Sequence, residues 1–228
     1  MSDIKYSDFL LKKIIPPSDD YTQALKIHAN EMDERFGNDA DKIDYWVKYP
    51  NEGTQCNPYG FYRGGAIIGF LLLTVYRSEG FLFGDYLSIS LKARGVETVR
   101  AFLHLIREEL DKTYHMPMFF DIASEDRRRR GAERLYKTAG AGLLEYKHFI
   151  PRCDLTFEKI PARMLIYPSQ KNIDKNTYSR FLRTILLKNQ VESLSPFLNT
   201  EENAAYKRYI SEIYNELTGA MPDTIHIT

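Results

Sequence analysis

The chain has only two cysteines, Cys56 and Cys153, one tryptophan, and no surplus of either charge, with 31 Lys and Arg against 31 Asp and Glu. Two cysteines far apart make neither a disulfide framework nor a CxxC metal pair, so a reduced, cytoplasmic setting is expected. Balanced charge leaves no bulk field to hold a polyanion, and any phosphate or nucleic-acid site must be a local patch. The longest apolar runs, such as Ala66 to Leu73 and Met116 to Phe120, fall far short of the roughly 20 residues a membrane helix requires, so no membrane is expected as a partner. The opening stretch MSDIKYSDFLLKKIIPP lacks the basic start, long apolar segment and small-residue cleavage site of a secretory signal, and it reads as part of the fold.

The common catalytic signatures are also missing. There is no GxxxxGK[ST], no GxGxxG after a strand, no GxSxG and no HExxH, which argues against nucleotide hydrolysis and zinc hydrolysis. His28, His104, His115, His148 and His226 show no ligand spacing. They read as helix-face or surface residues, and no metal is expected.

What is present is an ordinary globular composition of 228 residues, 43% hydrophobic and 27% charged. That length buries roughly 70% of the unfolded surface, enough for one large domain or one domain with a helical appendage. Phe9 to Ile15 reads as a strand halted by Pro16 and Pro17. A helix follows from Tyr21 to Phe36, begun by Ser18 or Asp19 and stopped by Gly37, and a short one runs from Ala40 to Tyr49. The run from Tyr59 to Tyr76 reads as a hairpin turning at Arg63, Gly64 and Gly65, because a tight turn needs positive φ.

FLFGDYLSIS, from Phe81, is a strand leading through a loop at Leu91 to Gly95 into a helix over Glu97 to Thr113. Met116 to Ser124 is a buried strand, and strand, crossover helix and strand together predict a right-handed parallel unit. Asp126 to Ala139 is a basic helix ending at Gly140. Leu143 to Phe149 and Met164 to Tyr167 complete the strands. Beyond Pro168 only helices are expected, Thr177 to Asn189 and Glu201 to Leu217, the last capped by Thr200. Tyr178, Tyr206, Tyr209 and Tyr214 fall at helical spacing there and read as packing against the main domain, with a homodimer contact or a cover over the acceptor site as the lesser readings.

Two stretches carry more. YLSISLKARGVETVRAFLHLIREEL, from Tyr86, and RLYKTAGAGLLEY, from Arg134, together with the order of elements from about residue 9 to residue 168, resemble the GCN5-related N-acetyltransferase (GNAT) family. The resemblance implies a mixed-sheet α/β fold, an acetyltransferase-like domain over residues 1–168 and a C-terminal helical extension over 169–228. It implies transfer of acetyl from acetyl-CoA to a primary amine, on a small molecule or a peptide, by direct attack and without a metal.

In the family an R-G-x-G-x-G/A turn receives the donor's pyrophosphate on backbone amides. The positions here are Arg94, Gly95, Val96, Glu97, Thr98 and Val99. Arg94 and Gly95 match; Glu97 and Val99 stand where the family has Gly, and Gly or Ala. The backbone around Leu87, Ile89 and Ser90 would polarise the thioester carbonyl. Tyr136 matches the family tyrosine that protonates the departing thiolate. Asp85, two positions before Leu87, is the candidate base, with Glu79 and Asp121 as weaker choices. Arg127 to Arg130 put four cations at a helix start, which is locally unfavourable and asks for an anion. One or two of them, Arg129 and Arg130 foremost, would meet the phosphates of CoA; a nucleic-acid or acidic-protein contact is the less favoured use. The rival reading, favoured by Glu97, is a non-catalytic binding module of the same fold that has lost the donor.

Overall fold

The computed structural model describes residues 6–31, 40–123, 129–152 and 155–228, apart from the side chains of residues 129 and 130. Met32, Phe36, Gly37, Asp126, Arg127, Arg128 and Cys153 lie outside the described residues. The chain forms two compact units that divide between Met118 and Phe119.

The first unit is built on a four-stranded antiparallel sheet, β1 (Phe9–Lys13), β2 (Thr54–Arg63), β3 (Ala66–Tyr76) and β4 (Phe81–Ile89), in that order. β2 and β3 turn at Gly64 and Gly65, with φ of 56° and 81°, so the expected hairpin turn is present and glycine adopts its left-handed geometry without strain. Alternate side chains serve opposite faces. On one face Ile14, Phe70 and Leu72 pack with Tyr21 and Ala24 of α1 (Asp19–Glu31) and Ile43 of α2 (Ala40–Lys48). On the other, Phe61 stacks on Phe102 of α3 (Val96–Glu109) at 4.3 Å and on Phe9 at 5.4 Å. Ser18 starts α1 as expected, its Oγ accepting from the Tyr21 amide at 3.2 Å. α3 closes with one π turn at Leu110–Tyr114.

The second unit carries β5 (Met118–Ala123), α4 (Arg129–Thr138), β6 (Gly142–Leu143), β7 (His148–Pro151) and β8 (Lys159–Tyr167). β8 pairs with β6 and β7 antiparallel and neighbours β5. The single strand expected over Leu143 to Phe149 is broken in two. Leu144 bridges to Ile227 and the Glu145 amide donates to the His226 carbonyl at 2.9 Å, so the C-terminal segment takes backbone partners from the gap. The expectation of helices alone past Pro168 is also corrected. β9 (Asn172–Asp174) and β10 (Thr224–His226) form a small antiparallel ladder, each too short to show a period of two.

Between them run α5 (Lys175–Leu182), a π-wound continuation, α6 (Val191–Leu194) and α7 (Thr200–Gly219). The cap of α7 is Asn199, not Thr200: its side chain accepts from the Glu202 amide and Glu202 reaches back to the Asn199 amide, each at 2.9 Å. An amide oxygen one residue earlier closes the reciprocal box that Thr200 cannot. Tyr178, Tyr206 and Tyr209 are buried within this unit, and Phe181 stacks on Phe119 of β5 at 4.1 Å. No helix among the described residues is long and apolar enough to cross a membrane.

Candidate active site

In the first unit, β4 runs into a short turn and then α3. Ser90 donates its amide to the Ile68 carbonyl at 2.9 Å, and because strand residues alternate, the Leu87 and Ile89 amides point away from β3. The Ile89 side chain is buried and Leu87 half-buried. Gly95 is the N-cap of α3, with extended backbone and no side-chain cap. The first intrahelical bond runs from the Val99 amide to the Gly95 carbonyl at 2.9 Å. Among the described residues no acceptor meets the amides of Val96, Glu97 and Thr98, and a β-carbon on Gly95 would meet nothing within 4 Å. The start of α3 is thus an open set of donors at the positive end of a helix, suited to an anion. Glu97 is exposed in that first turn, Thr98 buried and Val99 half-buried.

The Arg94 side chain is turned inward. Its Nη2 donates to Glu31 Oε2 at 3.0 Å and to the Ile89 carbonyl at 2.8 Å, while Glu31 Oε1 accepts from the Leu91 amide at 2.7 Å. Arg94 therefore holds the turn in shape, and the backbone is left to face a ligand.

Asp85 occupies a bulge. Leu72 pairs with Tyr86 and Leu73 with Gly84, so Asp85 is the extra residue, and a bulge re-aims its side chain. Thr74 Oγ1 donates to Asp85 Oδ2 at 2.6 Å, and Cys56 Sγ lies 3.4 Å from the same hydroxyl. Burial, with Asp85 adding to it, pushes the Cys56 thiol up to about 12, so the thiol stays protonated. Glu79 sits in the β3–β4 turn, at the opposite end of β4 from Ile89.

In the second unit, the Tyr136 ring lies 4.6 Å from Phe120 of β5. Desolvation pushes its phenol up to about 12, and among the described residues the hydroxyl has no hydrogen-bond partner. The phenol thus keeps its proton across the neutral range and can deliver it to an anion. α4 ends as expected at Gly140, with φ of 97°. Arg129 and Arg130 begin the helix.

The structure therefore groups the expected residues in two sets: Asp85, Leu87, Ile89 and the α3 start in one unit, Tyr136 and Asp121 in the other. His28 lies on the buried stripe of α1, the helix face on which it was expected, against Phe70 and Tyr86 with its Nδ1 3.3 Å from Ser88 Oγ. His148, expected on a helix face or at the surface, is on β7 and buried, with its Nε2 3.5 Å from Asp121 Oδ2. The available signal was its place before Phe149 and Ile150.

No protein-family model matches the sequence, and no curated protein does. Solved structures do. A protein assigned to the GNAT family of acetyltransferases from Bacteroides thetaiotaomicron is similar with a TM-score of 0.62 at 12% identity, over 77% of this chain and 97% of the other. The spermidine/spermine N-acetyltransferase SpeG of Vibrio cholerae, solved with manganese ions, is similar at 0.51 and 13%, over 71% and 92%. The Vibrio cholerae spermidine N-acetyltransferase in complex with CoA and spermine is similar at 0.50 and 12%, over 70% and 95%. The chain has the fold of the GCN5-related N-acetyltransferases.

Proposed function

We propose that this chain is an acyl-CoA-dependent N-acyltransferase that moves acetyl from acetyl-CoA to a primary amine, with residues 1–168 as the acyltransferase domain and 169–228 as its helical extension. The observation that carries the reading is the uncapped start of α3, directly after β4 and free of side chains at Gly95. It suits a pyrophosphate received on the amides of Val96 to Val99. The fold neighbour solved with CoA and spermine supports the same reading.

Acetyl-CoA supplies a thioester carbon open to attack. The chain's residues do the rest. The Leu87 and Ile89 amides, pointing away from β3, polarise the carbonyl. Arg129 and Arg130 add positive charge for the phosphates. Asp85 takes a proton from the acceptor's ammonium, directly or through water. The freed nitrogen lone pair forms the C–N bond, the C–S bond breaks with its electron pair on sulfur, the Tyr136 phenol protonates the sulfur, and the second proton shed by the nitrogen restores the phenol, directly or through water.

Calorimetry with acetyl-CoA tests this, with binding in the micromolar to submillimolar range expected. One observation favours a second reading, a GNAT-fold binding module without the donor: Glu97 puts an exposed carboxylate on the turn that would hold the pyrophosphate. Absence of binding at millimolar acetyl-CoA would select that module.

A further inference from the structure

Thr74 is buried on β3, and the proposed reaction gives its hydroxyl no task. In unbroken antiparallel register Asp85 would stand opposite Leu73 and share its face of the sheet, while Thr74, next in the strand, faces the other way. The bulge changes this. Leu73 pairs with Gly84 and Leu72 with Tyr86, so the Asp85 carboxylate is turned onto the Thr74 side. There Thr74 Oγ1 donates to its Oδ2 at 2.6 Å.

That length belongs to a hydroxyl bound to an ionised carboxylate. A threonine hydroxyl has one proton, and here it is committed to Asp85. At the 3.4 Å contact with Cys56 Sγ the hydroxyl therefore accepts, and the thiol, which keeps its proton, donates. Cys56 stands opposite Thr74 in the β2–β3 pairing. Three neighbouring strands thus supply one directed chain, thiol to hydroxyl to carboxylate, in which each bond strengthens the next. Branching at Cβ restricts rotation of the Thr74 side chain, and its burial keeps away water that would compete for the proton.

We infer that Thr74 is a positioning residue for acyl transfer: its hydroxyl, set between Cys56 and Asp85, fixes the Asp85 carboxylate in the orientation from which it takes the acceptor's first proton. The inference rests on the reading of Asp85 as the base; the hydrogen bond does not. A valine at this place would keep the shape and leave Oδ2 without its donor.

The test follows thiol release from acetyl-CoA by the full chain with two acceptors. One is 1,4-diaminobutane, an ammonium ion at neutral pH. The other is hydroxylamine, already neutral there, with no proton for a base to remove before attack. Thr74→Val should lower kcat for the diamine about tenfold, while KM for acetyl-CoA and turnover of hydroxylamine stay within about twofold. Thr74→Ser, which keeps the hydroxyl, should return the diamine kcat to within about threefold of the parent. In an Asp85→Asn chain the further change Thr74→Val should matter less than about twofold. Equal losses with both acceptors, or a diamine kcat unchanged in a folded Thr74→Val variant, would overturn the inference.

A reading without turnover is the Thr74 hydroxyl proton, expected as a slowly exchanging 1H signal in the parent and lost in Asp85→Ala. Its persistence there would overturn the inference too. Failure to bind acetyl-CoA would sink the transferase reading and leave the hydroxyl signal in place, so the two failures are separable.

Discussion

Glu31, the last residue of α1, holds Arg94 at 3.0 Å with one carboxylate oxygen and the Leu91 amide at 2.7 Å with the other. One side chain thereby ties a helix end to both sides of the turn that leads into α3. Hydrogen bonds to a charged group contribute about 1.5–3 kcal/mol where water is partly excluded. Glu31→Ala should lower stability in urea by about 1–2 kcal/mol, since both partners keep some access to water. It should also weaken acetyl-CoA binding by loosening the turn. An unchanged unfolding midpoint would show that the clasp contributes nothing.

Tyr136 carries its proton up to about pH 12, so as an acid it is fully loaded throughout the neutral range. Tyr136→Phe should cut kcat roughly a hundredfold while leaving the affinity for acetyl-CoA within a factor of two. Stopped assays alongside calorimetry would read both quantities. Equal turnover in parent and variant removes the acid assignment.

Glu97 places negative charge where the helix dipole favours an anionic ligand. Replacing it with Gln keeps the shape and removes the charge. The Glu97→Gln variant should bind acetyl-CoA roughly two- to fivefold more tightly, and the gain should shrink as salt is raised. Weaker binding in the variant would mean that the carboxylate does not oppose the donor.

His28 bears on stability rather than chemistry. Burial lowers its imidazole from 6.5 to about 4, so between those pH values the unfolded chain takes up a proton that the folded chain refuses. Stability should therefore fall as the pH drops from 6.5 toward 4, by up to roughly 3 kcal/mol from this residue. In His28→Gln the acid slope of the urea midpoint should flatten, even though the variant is less stable at neutral pH. A slope identical to the parent would place the acid sensitivity elsewhere.

Gly142 lies against the C-terminal segment, where a β-carbon would overlap Ile227 Cγ2 and Ser169 Oγ. Gly142→Ala must displace that segment, whose Thr228 exchanges backbone bonds with Leu143 at 2.8 and 2.9 Å. Overpacking of this kind costs about 1–3 kcal/mol, and a lowered Tm is expected. A wild-type Tm would mean that the segment yields freely.

The order of elements was legible because it rests on local patterns. The stripe of α1, the Gly64 and Gly65 turn and the Gly140 stop each follow from a few neighbouring residues and their allowed backbone geometry. What escaped reading depends on partners far away in the chain. The strand expected over Leu143 to Phe149 breaks because residues 226 to 228 supply its bonds. Asn199 caps α7 because Glu202 reaches back to it, and nothing in composition ranks it above Thr200.

The sequence by itself determined the strand, turn and helix that set Gly95 at the start of α3, since local periodicity and glycine's freedom suffice for that. Only the tertiary structure decided that Arg94 serves Glu31, that Asp85 sits in a bulge above Thr74, and that the His148 ring lies beside Asp121. Those outcomes depend on register and on which surfaces exclude water, and both arise from pairings between residues tens of positions apart.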